Sequence, residues 1–213
     1  MTLKLYAHPL SSYSWKALIA LYENATPFEP ITIDQTTHAE FIRVWPMGKF
    51  PVLVDAARGE TVPESSVIID YLDRYQPGAV RFVPTDPDQA WRTRLWDRFI
   101  DLHVHDSMQR IVADRIRPPD AKDPFGLEEA HAKLAKAYLV VEAEVGKRRW
   151  LSGDDFGLAD CAAAPALYYA NKVQPFGPEQ AASQVYLERL MARPSFARVL
   201  KEAEPYFHLF PQA

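Results

Sequence analysis

One cysteine, Cys161, is all that the 213 residues carry. A disulfide framework and a cysteine metal cluster are thereby excluded. No basic run interrupts a chain of formal net charge −4, which argues against nucleic acid as the main partner. No stretch of about 18 uninterrupted apolar residues is present, so no membrane span is expected. The opening residues Met1-Thr2-Leu3-Lys4 lack the apolar core of a secretory signal, and the expected location is cytoplasmic. What is there, 48% hydrophobic and 24% charged, is the composition of a globular chain, with length enough for one large domain or two small ones. Most of its 18 prolines fall between helical segments.

The chain turns on its first loop, Ala7-His8-Pro9-Leu10-Ser11-Ser12-Tyr13-Ser14-Trp15-Lys16. The alternating Leu3-Lys4-Leu5-Tyr6 before it reads as a strand, and Ala17, Leu18, Ala20, Leu21 and Tyr22 after it carry helical spacing. Three hydroxyls therefore sit where a strand gives way to a helix N-terminus. Unpaired amides and the positive end of the helix dipole favour an anion there; ordinary capping by Ser is the plainer reading of the loop alone. Two later stretches have related chemistry. In Met47-Gly48-Lys49-Phe50-Pro51-Val52-Leu53-Val54 a proline opens an apolar strand, a position compatible with its missing donor and a candidate for a cis bond. In Pro63-Glu64-Ser65-Ser66-Val67 a carboxylate and two hydroxyls open another helix; such a terminus can hold a substrate carboxylate, and Glu64 an ammonium group.

Further strands are expected at residues 29–33, 52–54 and 60–62, and a helix at 66–75; residues 36–45 fit either a short helix or a loop. This β-α-β-α-β-β-α order is that of a thioredoxin-like domain. From residue 88 the pattern turns helical. Trp91, Leu95, Phe99 and Leu102, and likewise Trp96, Ile100 and Val104, recur at three or four residues up to 115, before Pro118-Pro119. Helices at 125–147, 158–172, 178–191 and 195–203 follow. The fold class is thus α/β plus all-α: a thioredoxin-like N-terminal domain at 1–78, a linker at 79–87 and an all-helical bundle at 88–213. Within the bundle, Gly157 and Asp160 have the spacing of a capping box, and Phe156 and Cys161 that of a hydrophobic staple. That element reads as structural, with Cys161 a small buried apolar residue.

The three early stretches, in this order, resemble the cytosolic glutathione transferases. Ser11-Ser12-Tyr13-Ser14-Trp15-Lys16 resembles the Ser-Ser-Cys-Ser-Trp-Arg loop of the zeta class, with Tyr13 in place of Cys and Lys16 in place of Arg. Phe50-Pro51-Val52-Leu53 resembles the family's Val-Pro-x-Leu element around a cis-proline. Glu64-Ser65 resembles its Glu-Ser pair, which binds the γ-glutamyl end of glutathione. The resemblance implies glutathione as co-substrate, no metal, and a homodimer. It implies Ser11 as the group that stabilises the thiolate, with Ser12 as the next candidate. Tyr6 is a third, because other classes place a catalytic Tyr at the end of the first strand. The backbone of Phe50, beside Pro51, would pair with the cysteinyl peptide group. Glu64 and Ser65 would hold the γ-glutamyl end, and Lys49, with His38 as a further candidate, the glycyl carboxylate.

A second substrate is expected to meet Tyr13 and a helix wall carrying His103, Asp106 and Arg110 at i, i+3 and i+7; a solvated face or dimer contact is the alternative for those three. Asp101 is a candidate to reach the glutathione of a second subunit. The energetics are modest. Lowering a thiol pKa of ~8.5 by about 2 units requires roughly 2.7 kcal/mol. One hydrogen bond to the charged sulfur contributes roughly 1.5–3 kcal/mol, and a helix N-terminus about 0.3–2 kcal/mol. With no Cys in the loop, disulfide exchange through a protein thiol is excluded there. The expected reaction is attack of the glutathione thiolate on an electrophilic carbon. A glutathione-dependent isomerase of the maleylacetoacetate type, which Tyr13 disfavours, and a non-catalytic ligand carrier are the alternatives.

Overall fold

The computed structural model describes residues 3–211; Met1, Thr2, Gln212 and Ala213, the outer ends of the two expected domains, lie outside them. The chain forms two compact units. One runs to Val83 and also takes in Pro194–His208; the other begins at Pro84, runs to Arg193 and resumes at Leu209.

In the first unit β1 (Leu3–Ala7), β2 (Glu29–Thr32), β3 (Val52–Asp55) and β4 (Glu60–Pro63) form one sheet in the order β2-β1-β3-β4. β1 is parallel to β2 and antiparallel to β3, and β3 is antiparallel to β4. The parallel pair needs a crossover, which α1 (Ser12–Glu23) supplies. The antiparallel pair turns through Gly59, whose φ of +67° lies in the left-handed region open to glycine. Alternation along β1 sends Tyr6 to the face covered by α2 (His38–Val44), where it packs with Ile33, Phe41 and Val52. α3 (Ser65–Tyr75) packs on α1 and ties back to the hairpin through Tyr71, whose hydroxyl donates to Asp55 at 2.8 Å. These elements realise the thioredoxin-like order expected from the sequence.

The helix Pro194–Ala203 was expected with the bundle but belongs to this first unit. Its side chains explain why. Phe196 meets the edge of Trp15 on α1 at 6.1 Å, Arg198 lies 3.9 Å over the ring of Tyr22, and Glu202 accepts the Tyr22 hydroxyl at 2.5 Å.

The second unit is helical: α4 (Pro87–Phe99), a π-helical segment (Ile100–His105), α5 (Asp106–Ile116), α6 (Pro124–Val145), α7 (Leu158–Val173) and α8 (Ala181–Met191); Pro194–Ala203 is α9. Asp86 and Asp123 cap α4 and α6 by accepting the amides of Gln89 and Gly126, each at 2.9 Å. α7 is buried along nearly its whole length. Its alanines let α4, α5 and α8 approach it closely. Among the described residues, no helix is long and apolar enough to cross a membrane.

The long helix at 88–115 departs from expectation. It is not one regular α-helix, because the π segment inserts a wider turn and shifts the register of the α5 residues beyond it. Of the two apolar series read from its spacing, one faces inward, with Ile100 and Val104 buried, and the other outward: Trp91, Leu95 and Leu102 are about half exposed, while Thr93, Asp97 and Asp101 are buried.

Glu142 on α6 acts as a remote cap for α8. Its carboxylate accepts the amides of Ala182 and Ser183 at 2.8 and 2.7 Å and the Ser183 hydroxyl at 2.7 Å. Burial works against the charge, but these hydrogen bonds outweigh it and hold the carboxyl below its ordinary value. A depressed folded-state pKa stabilises above the unfolded value and loses that contribution as pH falls through the folded one. Glu142→Gln should therefore reduce stability by about 1 kcal/mol at neutral pH. In chemical denaturation across pH 3 to 7, the gap to wild type should close in the acid range. A gap independent of pH would show that the charge on Glu142 does not matter.

Candidate active site

The loop from His8 to Ser11 is closed by its own hydrogen bonds. Ser11 is the N-cap of α1, and its Oγ accepts the Ser14 amide at 3.1 Å. The Ser11 amide donates to the His8 carbonyl at 3.0 Å, and the His8 amide donates to Ser14 Oγ at 3.2 Å. The Leu10 amide donates to His8 Nδ1 at 3.2 Å. Burial pushes the His8 imidazole below its ordinary value, which favours the neutral ring that this contact requires. Trp15 Nε1 donates to the Pro9 carbonyl at 2.6 Å from behind. Capping and chemistry are compatible at Ser11: the lone pair serves the helix, and the hydroxyl proton is the donor an anionic sulfur needs. Ser12, the runner-up, begins α1 and is buried.

Tyr6 is engaged elsewhere. It is 4% exposed, and its hydroxyl donates to Glu40 on α2 at 2.8 Å. Burial first, then the Glu40 contact, pushes its pKa up to about 12. Tyr6→Phe should change kcat/KM by less than about threefold while lowering stability by about 1 kcal/mol. A hundredfold loss of turnover would restore Tyr6 as the thiol-activating group.

Two contacts bring the three sequence motifs together. The His8 ring stacks on Phe50 with centroids 5.7 Å apart and planes 24° from parallel, joining the loop to the mouth of β3. The Phe50–Pro51 bond is cis, with Pro51 buried. Lys16 Nζ donates to Ser66 Oγ at 2.8 Å, joining α1 to the first turn of α3. Glu64 immediately precedes that turn with φ +70° and ψ 117°, a positive φ rare outside glycine. Its side chain is exposed and makes no cap hydrogen bond, whereas Ser65 is buried. Such local strain persists only where the surroundings over-determine it, and it clusters at ligand sites. Lys49 and His38 are both exposed, His38 as the first residue of α2.

The substrate-side candidates fall in different units. Tyr13 is half-buried on α1. In the second unit His103 is exposed and lies against Phe99, with ring centroids 4.8 Å apart. Asp106 pairs with Arg110 on its own helix and with Lys133 on α6, each at 3.2 Å. This ion-paired surface matches the solvated alternative more closely than a bare pocket wall. Asp101 is buried in the π-helical segment. Among the described residues no group of three or more His, Cys, Asp or Glu could hold a metal ion. Sequence reading missed His8, Glu40 and the burial of Lys16. Only Lys16 left a trace, as a cation between Trp15 and Ala17 on an otherwise apolar helix.

Comparisons with known proteins agree on one family. Residues 5–93 match the model of the glutathione S-transferase N-terminal domain, and residues 101–194 that of the C-terminal domain. Glutathione S-transferase 3 of Zea mays is 31% identical over 210 residues, covering 93% of each chain. Glutathione S-transferase GstB of Escherichia coli is 26% identical over 190 residues, 87% of this chain and 91% of that one. Among solved structures, a glutathione S-transferase of Methylobacillus flagellatus with glutathione bound superposes with TM-score 0.82 at 25% identity, over 93% of this chain and 98% of that one. One from Methylobacterium radiotolerans, in complex with glutathione sulfonate, gives 0.79 at 30% identity, over 93% and 94%.

Proposed function

We propose, from the fact that the chain belongs to the glutathione S-transferase family, that it is a glutathione transferase whose bound thiolate is held by the hydroxyl of Ser11. The observation that carries the assignment is the N-cap geometry. Ser11 Oγ is fixed by the Ser14 amide at the positive end of a twelve-residue helix, where a proton donor and the helix dipole both favour an anionic sulfur. The thiol proton passes to solvent. The sulfur then attacks an electrophilic carbon, a C–S bond forms, and the leaving group departs with its electron pair. The backbone at Phe50 is the partner proposed for the cysteinyl peptide group, Glu64 and Ser65 for the γ-glutamyl end, and Lys49 with His38 for the glycyl carboxylate. Tyr13, two residues from Ser11, is the side chain proposed to meet the electrophile. The relatives support the family rather than the zeta class within it. Conjugation is therefore the reading adopted, ahead of isomerisation or ligand carriage.

The test is calorimetric titration with glutathione, paired with ultraviolet detection of the bound thiolate and turnover of a halogenated nitroaromatic. Binding, a thiolate signal well below the free thiol pKa of ~8.5, and conjugate formation are expected. Absence of binding at millimolar glutathione would overturn the reading, and binding without a thiolate would reduce it to a carrier.

A homodimer and residence in the cytoplasm, where glutathione is kept reduced, belong to the same proposal. Trp91, Leu95 and Leu102 on the long helix, and Val67 and Tyr75 on α3, are exposed apolar side chains of the sort a subunit contact covers. Sedimentation should give twice the monomer mass, and Leu95→Glu should shift it toward monomer. A wild-type monomer at micromolar concentration would remove the dimer from the proposal.

A further inference from the structure

Lys16 is the unusual residue of the first unit. A lysine is almost never fully buried unless its charge is paired, and Lys16 is 1% exposed. It occupies the fifth position of α1, and among its contacts its ammonium donates to Ser66 Oγ at 2.8 Å. Ser66 is the second residue of α3. Two residues before it stands Glu64, with φ +70° and no side-chain cap bond to steady the turn. At the start of the helix the Glu64 carbonyl accepts the Ile68 amide at 2.8 Å. A strained conformation at an exposed residue needs a brace from the surrounding structure. The buried ammonium reaches across from the helix that carries Ser11.

We propose that Lys16 is a positioning residue for the glutathione site, its buried ammonium acting through Ser66 to hold the Glu64-Ser65 turn in the conformation that meets the γ-glutamyl end. The inference rests on the glutathione reading above and extends it to a residue that touches no ligand. Because Ser11 caps the start of α1 and Glu64-Ser65 stand at the start of α3, the Lys16–Ser66 contact sets the spacing between the two ends of the site. Lys16 therefore governs affinity for glutathione and leaves the chemistry at sulfur to Ser11.

Glutathione affinity, the pKa of the bound thiol, kcat and KM are to be measured for wild type, Lys16→Met, Lys16→Arg and Ser66→Ala, with thermal melts confirming the fold. Lys16→Met should raise Kd and KM for glutathione about tenfold or more. It should move kcat by less than about threefold and the bound thiol pKa by less than about 0.5 unit. Lys16→Arg, which keeps a donor cation, should recover most of the affinity. Ser66→Ala should weaken binding in the same direction by about threefold or more, and it carries the test alone if Lys16→Met does not fold. In a double-mutant cycle on glutathione binding, Lys16→Met and Glu64→Gln should be non-additive, and Lys16→Met and Ser11→Ala additive. Wild-type-like affinity in folded Lys16→Met or Ser66→Ala, or loss of kcat and thiolate together with affinity, would overturn the inference. If wild type itself fails to bind glutathione, it is the function reading that falls.

Discussion

A Ser11→Ala variant should lose roughly 10–100-fold in kcat/KM, and the pKa of its bound glutathione thiol should rise by about 1–2 units. Both figures express one quantity, the roughly 1.5–3 kcal/mol of a hydrogen bond to a charged acceptor. The complication is that Ser11 also caps α1 through the Ser14 amide, so the same variant should lose about 1 kcal/mol of stability. Ser11→Gly separates the two effects. Glycine at an N-cap costs only a few tenths of a kcal/mol, yet it removes the hydroxyl as completely as alanine does. Activity should fall equally in the two variants while stability falls mainly in one. Ser11→Thr, which keeps the hydroxyl, should keep most of both. If Ala and Gly variants retain the thiolate and turn over normally, Ser11 is a cap and nothing more, and Ser12→Ala becomes the informative variant.

The same residue shows what could be read in the sequence. Three serines between an alternating stretch and a helical one locate a helix N-terminus, because capping is a local property of chain and side chain. The order of strands and helices along the first unit and the helical class of the second were legible for a similar reason, since strands and helices announce themselves by period. Setting Tyr6 aside was different in kind. It depends on Glu40, 34 residues from Tyr6, drawing that hydroxyl to the α2 face, and no local spacing encodes such a pairing. The π-helical segment at Ile100–His105 was hidden too. A one-residue change of register leaves every side chain in its place in the sequence while re-aiming the α5 residues beyond it. The helix Pro194–Ala203 has an apolar face that any helical layer could take. Its place beside α1 is decided by partners as remote in sequence as Trp15 and Tyr22.

The largest stability effect should come from a residue far in sequence from the proposed chemistry. Asp160 is fully buried and accepts four hydrogen bonds. Its Oδ1 takes the Leu151 amide at 2.8 Å and the Tyr186 hydroxyl at 2.6 Å, and its Oδ2 takes the Gly157 amide at 3.0 Å and the Ser152 amide at 3.2 Å. Burial pushes this carboxyl up, while the donors around it favour the ionised form. The Gly157 bond is the acidic half of the capping box expected at the start of α7, the half that a glycine N-cap leaves in place, and Phe156 and Cys161 on either side are both buried as a staple requires. The other three bonds go beyond a cap, fastening the preceding loop and α8 to the same carboxylate. Asp160→Ala would strand three amides and a phenol in a dry interior at roughly 1–3 kcal/mol each, less than additively. The expected loss is about 4 kcal/mol or more, with Tm lower by roughly 10 °C. Asp160→Asn should fall between, since its NH2 cannot accept, and Tyr186→Phe should cost about 1–2 kcal/mol. All four donors lie in the second unit, whereas Ser11, Phe50, Glu64 and Ser65 lie in the first. Glutathione affinity per folded molecule should therefore hold in Asp160→Asn while its melting point drops, the reverse of the pattern expected for Ser11→Gly. A melt of Asp160→Ala within about 3 °C of wild type would show that the capping network is dispensable.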